Sequence, residues 1–433
     1  MRAVLTAALA FALSLGQPTS PVWLTSSAPL IYSEHANDSW NRLFGLLFTR
    51  TVRSRFTSEF TDCGPFDVAI SPFTMFADLQ PLHTSMRTFE RFEDGDRAID
   101  ALYPAFLNQT GPREALVDPL HGQLFNTLNA ALDDRTERSP LARALMQTDL
   151  WSAYDLLAAI QGGGDYPARR AAAGVTASLA KLMARLALTP AEIAALPDNY
   201  EDARRGLPLP DLFHSQSGWI EIVRNPNRMH DAHEQLRRAA RVFVRPTTPP
   251  RDPAAFLKAL TAGEEPGPIS ATALIVQALT LDASSHVLPT PLISDVQIRT
   301  FTRDARGGLS ASMTEYELSR RRLLSSPSTG GFLQFSDGSE AYLASSGNDY
   351  GFATPTFGDP HKPEPTIGTL HARCVACHGG DGSLMMSLAV QDPSRAPATR
   401  ALSQPNEERA RYVAQRKEAR EDFKRLIALT GLR

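Results

Sequence analysis

Cysteine usage constrains this chain more than any other feature: only Cys63, Cys374 and Cys377 occur in 433 residues. A disulfide framework needs several pairs at short spacings, and three cysteines in so long a chain cannot supply one. The fold must therefore be held by burial of apolar surface. The material for that is present, with 42% apolar and 21% charged residues, close to ordinary globular usage. A chain of this length carries a prior of two or three domains and buries most of its apolar surface. Basic side chains number 44 against 47 acidic, for a net charge of −3. The basic excess of a nucleic-acid binder is missing from the whole-chain balance, so no nucleic acid is expected as a partner. Thirty-two prolines and 27 glycines point to long connections between elements.

The N-terminus reads as an address. Arg2 supplies a positive charge, and Ala3 to Leu13 forms an apolar run of eleven residues. That is too short for a bilayer core of about 30 Å, which needs about 20 residues. Ser14 and Gly16 place small residues at −3 and −1 of a cut before Gln17. Charged start, short apolar core and small-x-small exit describe a cleavable signal peptide over residues 1–16. A buried N-terminal helix is the plainer alternative. No cysteine follows the run to take a lipid, and no later run reaches spanning length. The mature chain is expected to be soluble, without a membrane span, and periplasmic or secreted.

Residues 17–245 read as a helical region. Asn37 offers a cap for a helix in which Trp40, Leu43, Phe44 and Leu47 follow i, i+3, i+4, i+7 spacing. Leu145, Leu150, Tyr154 and Leu157 mark an apolar face along Leu141 to Ile160, and Pro167 to Leu188 is rich in Ala and Leu. Gly162, Gly163 and Gly164 predict a flexible turn between them. Thr189-Pro190-Ala191-Glu192 has the form of a capping box with proline at the first helical position. Residues 246–350 read as a mixed region with β-strands. It opens on the proline cluster around Pro246, then a short helix near Ala254 to Ala262. The β-branched stretch Thr272 to Arg306 follows, with Val296, Ile298 and Phe301 in loose alternation, and then a hairpin over Gly331 to Ala344 turning at Asp337-Gly338.

Residues 351–433 contain the strongest chemical signal, Cys374-Val375-Ala376-Cys377-His378. The C-x-x-C-H pattern is the attachment site of c-type haem. Two thiols at this spacing reach the two vinyl groups of one porphyrin edge, and the adjacent imidazole sits beneath the iron. Gly379-Gly380 leaves room for a flat macrocycle. Other readings of the pair are a thioredoxin-like redox site, zinc, and chance. The first expects a long helix after the pair, which Gly379-Gly380-Asp381-Gly382 interrupts. Zinc lacks a fourth ligand, since no second cysteine pair exists. On these five residues and the neighbouring HGGDG the chain resembles the c-type cytochromes, over a short stretch only. The resemblance implies thioethers at Cys374 and Cys377, iron ligation by His378, one covalently attached haem c, and electron transfer to a redox-protein partner. Cys63, left over, reads as a small buried residue or an intermolecular disulfide partner.

Only 55 residues follow His378, whereas compact monohaem cytochromes place the motif early and a methionine well downstream. Met385 and Met386 are the methionines of this tail, and seven extended residues reach about 23–25 Å. His361, His371, a histidine from the helical half, or an open position remain as alternatives for the sixth ligand. A filled position favours electron transfer. An open one favours a peroxidase-like haem enzyme or a haem-based sensor. The terminal helix reads from a cap at Asn406 to a stop at Gly431, with Lys424 and Arg425 near its end. Its stripe of Tyr412, Ala419, Phe423, Leu426 and Thr430 is expected to pack near the motif. His230 and His233 fall at i, i+3 on a predicted helix but match no peptidase order, and a solvated face explains them. The whole is expected to be mainly α, with a multi-helix N-terminal region, a small β insertion and a C-terminal cytochrome c-like haem segment.

Overall fold

The computed structural model describes residues 30–35, 37–53, 65–69, 119–163, 166–222, 238–261, 268–303, 305, 309–335, 342–343, 367–368, 414–415 and 417–432. Its first layer is helical. The carboxylate of Asp38 accepts from the backbone N–H of Trp40 (2.9 Å) and Asn41 (3.2 Å), so Asp38, rather than Asn37, caps α1 (Ser39–Phe48). Trp40, Leu43 and Phe44 are buried, as their spacing predicts. They meet α2 (Pro119–Asp133), α3 (Pro140–Gly163) and α4 (Tyr166–Arg185) in one apolar cluster containing Leu124, Leu128, Leu150, Trp151, Leu179 and Leu182. Helix α3 runs through Gly162 and Gly163, which therefore lie inside its last turn and not in the expected turn. The capping box forms: the Thr189 N–H donates to Glu192 Oε2 (2.9 Å) and the Glu192 N–H to Thr189 Oγ1 (3.2 Å), opening α5 (Pro190–Ala194). Helix α6 (Asn199–Arg204) follows, capped by Asp198.

The second layer overturns the mainly α expectation. Helix accounts for 44% and strand for 28% of the interpretable structure, which includes a six-stranded antiparallel sheet. The strands β3 (Ile220–Ile222), β4 (Arg238–Pro246), β5 (Ile269–Leu281), β6 (Val287–Arg303), β7 (Leu309–Leu318) and β8 (Phe332–Phe335) lie side by side in chain order, a meander. Two of them fall inside the stretch read as helical. The reason is burial on both faces: residues 239–244 of β4 are all buried, so the period-2 alternation that reveals a half-exposed strand is missing. Pro246 ends β4, a place where its missing N–H is tolerated, and the proline-rich residues 247–252 connect it to the expected short helix. A further short pair, β1 (Thr49–Arg53) with β2 (Pro65–Ala69), also lies within the expected helical region.

One face of the sheet packs on the helices, through Phe243, Ile275, Val296 and Tyr316 against Leu188, Ile193 and Tyr200. On the other face α7 (Pro253–Thr261) sets Phe256 and Leu260 over Val242, Val244 and Phe301. After β7, helix α8 (Arg320–Ser325) leads into β8. Among the described residues, the two arms of the expected hairpin over Gly331 to Ala344 pair with other strands. Strand β8 pairs with β7 (Glu315 opposite Phe335), and β9 (Tyr342–Leu343) pairs instead with β10 (Ile367–Gly368). Asp337 and Gly338 lie outside the described residues.

The C-terminal helix also departs from its reading. A break at Ala419-Arg420 separates residues 414–418 from α9 (Glu421–Thr430), and Ala419 is exposed. Lys424 and Arg425 consequently sit in the first half of α9, away from its negative end. Gly431, at φ 74°, does stop the helix. Phe423 and Leu426 are buried as expected, but their neighbours are α3 and α4, remote in sequence. No helix among the described residues is long and apolar enough to cross a membrane.

Candidate haem-attachment segment and its frame

Cys374, Cys377 and His378 lie outside the described residues, as do Met385, Met386, His361, His371, Cys63, the histidine pair His230 and His233, and residues 1–16. The donor set itself fits the group it implies: two thiols for two vinyls, and one imidazole for iron. What the structure supplies is the frame. The chain enters from the β9–β10 pair, whose last residue, Gly368, precedes Cys374 by six positions. It leaves into Ala414, which is 4% exposed within the helical cluster.

The exit is pinned to the sheet. The Val287 N–H, at the start of β6, donates to Glu418 Oε1 (2.8 Å), and the His286 imidazole lies 3.4 Å from the same oxygen. Lys417 is buried alongside. From there α9 runs into the helical core. The chain that follows the motif is therefore tied to both layers, through Glu418 to the sheet and through Ala414, Phe423 and Leu426 to the helices.

Two buried ionic contacts tie distant elements of the frame together. Arg241 makes a bidentate pair with Glu221 (2.9 Å from both Nε and Nη2), with both side chains 1% exposed. The Phe213 and Phe243 rings lie 5.0 and 5.5 Å from its guanidinium carbon. Arg320 likewise grips Asp149 (Nη2–Oδ1 2.5 Å), and Tyr32 donates its hydroxyl to the same carboxylate. Sequence reasoning missed both pairs. Their members are 20 and 171 positions apart, and nothing local marks them.

A third cluster, Glu201, Asp211 and His214, has the residue types of a metal site, with ligand atoms within 4.8 Å of one another. Its chemistry is that of an ion-pair network. Arg204 binds Glu201 (2.8 and 2.6 Å) and lies 3.3 Å from Asp211, and His214 Nδ1 is 2.7 Å from Asp211. Partial burial pushes the Asp211 carboxyl up, but the His214 hydrogen bonds and the Arg204 charge outweigh it and hold it below the ordinary aspartate range. Burial drives the Tyr200 phenol upward, so this hydroxyl, donating to the Pro210 carbonyl (2.7 Å), stays protonated.

Comparison with protein-family models, with curated proteins and with solved structures finds no match for the chain.

Proposed function

We propose that the chain is an exported monohaem c-type cytochrome-like protein, which binds one haem c covalently and passes electrons to a redox-protein partner. The observation that carries this reading is the run Cys374-Val375-Ala376-Cys377-His378. Cys374 and Cys377 would hold the porphyrin edge through thioethers, and His378 would ligate the iron from one side. When bound, the haem supplies one-electron chemistry. The protein's own part is to orient the plane and wall it from water. The export pattern of residues 1–16 supports the reading, because haem joins such motifs after export.

The test is maturation in a periplasm followed by denaturation in acid acetone. Haem that stays with the polypeptide is the expected result, and haem extracted into the solvent overturns the reading. Optical spectra of oxidised and reduced protein then separate electron transfer from its alternatives. Rapid binding of cyanide or carbon monoxide would mark an open iron position and replace the carrier by a peroxidase-like enzyme or a sensor.

A further inference from the structure

We propose that the β6–β7 half of the sheet face turned away from the helices is the docking wall for the segment 369–413 that carries Cys374, Cys377 and His378. Register places Asp295, Gln297 and Arg299 of β6 on one face with Met313 and Glu315 of β7. Gln297, Arg299, Met313 and Glu315 are only 6%, 8%, 9% and 4% exposed. Among the described residues, α7 is the element packed on this face, and it sits at the Val242–Val244–Phe301 corner. A buried row of this kind requires chain above it.

Continuity selects the occupant. Residues 336–413 begin where β8 ends, at Phe335 opposite Glu315. They end beside Val287, the first residue of β6, where Glu418 is bound. Both ends of this span thus border the β6–β8 half of the sheet. The other long spans start and finish elsewhere. Residues 70–118 leave β2, which pairs with β1 next to α1, and return in α2, which also packs on α1. Residues 223–237 join β3 to β4 at the opposite edge.

Chemistry agrees. Gln297 Nε2 donates to Glu315 Oε1 (3.0 Å) and Asp295 Oδ2 (3.2 Å), and Arg299 stands in the same row, so the face is both polar and buried, and what covers it must bring hydrogen-bonding groups as well as bulk. Met313 offers the apolar, adaptable surface that a cofactor segment packs on. The docking stands on geometry; its role as a haem-pocket wall rests on the cytochrome reading.

Photo-crosslinking on the full, periplasm-matured chain tests this. Benzoylphenylalanine is introduced singly at Ala311, exposed at the rim of the face, and at Met313 within it, with Arg205 on the helical layer as control. Peptides from 369–413 should be captured from Ala311 or Met313 and not from Arg205. Capture of peptides from 70–118 or 223–237 instead, or failure of both positions to capture 369–413, overturns the docking. Acid acetone on the same samples reads the haem separately. Capture without covalent haem would keep the docking and sink the cytochrome reading. Covalent haem without capture would do the reverse.

Discussion

The ring of Phe423, ten residues from the C-terminus, lies against Trp151 in α3 with centroids 6.2 Å apart and planes tilted by 36°. Trp151 is fully buried, and Leu426 one turn on is 0% exposed. The last helix is thus part of the helical core. Phe423→Ala should cost about 3–5 kcal/mol, the range for removing a buried aromatic ring. The measurement is the urea midpoint at unchanged slope. A midpoint equal to the parent's would detach α9 from the core.

Asp149 carries a second expectation. Its carboxylate takes the Arg320 Nε (3.0 Å) and the Tyr32 hydroxyl, while the Arg320 guanidinium carbon lies 5.5 Å from the Phe44 ring centroid. Asp149→Ala removes the carboxylate that faces a buried guanidinium and should cost about 3–5 kcal/mol. The double variant Asp149→Leu, Arg320→Met should be the more stable of the two in chemical denaturation, because no lone charge remains inside. Equal losses would show that packing and not charge dominates there.

Gly330 sits at φ 71°, and a Cβ there would stand 2.2 Å from the Asn199 carbonyl oxygen and 2.6 Å from the Ala203 Cβ. Backbone, not a flexible side-chain end, is in the way. Gly330→Ala should therefore lose at least about 1–3 kcal/mol. Gly206, with nothing within 4 Å of its would-be Cβ, is the control, and Gly206→Ala should be close to neutral in the same thermal melt.

Acid stability should reflect Asp134. Burial raises its pKa, but hydrogen bonds from Thr136 and Arg138 prevail and lower it from 3.8 to about 2. A depressed carboxyl contributes stability above its unfolded value and loses it as pH falls through the folded one. The melting temperature of Asp134→Asn should lie below the parent's at neutral pH, with the gap closing between pH 3.8 and about 2. A gap independent of pH would remove the ionic origin.

For the iron, a thioether ligand after His378 can come from Met385 or Met386. Oxidised protein should then show the weak band near ~695 nm associated with Met/His ligation, and one of the two Met→Ala changes alone should abolish it. Cys374→Ala with Cys377→Ala should give colourless protein, and His378→Ala should disturb ligation without freeing the haem. A band that survives both methionine changes assigns the ligand elsewhere.

The contrast between β4 and α5 shows what was legible. The capping box at Thr189–Glu192 spans four residues and makes its bonds within them, so α5 could be read directly. Residues 239–244 carry no helical period, and their strand alternation vanishes because α7 covers one face and the helical layer the other. The C-x-x-C-H spacing was legible for the same local reason as the capping box. The long-range pairs of the frame, Arg241 with Glu221 and Arg320 with Asp149, were not, since their members lie far apart along the chain.

The amino-acid sequence alone determined the local features: the apolar faces of α1 and α3, the start of α5 and the stop at Gly431. Each depends on interactions a few positions apart, so a short window contains both partners. Only the tertiary structure decided the six-stranded meander, the Arg320–Asp149 and Arg241–Glu221 pairs, and the docking of Phe423 on Trp151. Burial and long-range pairing depend on which surface finally covers a side chain, and no short window of sequence holds that information.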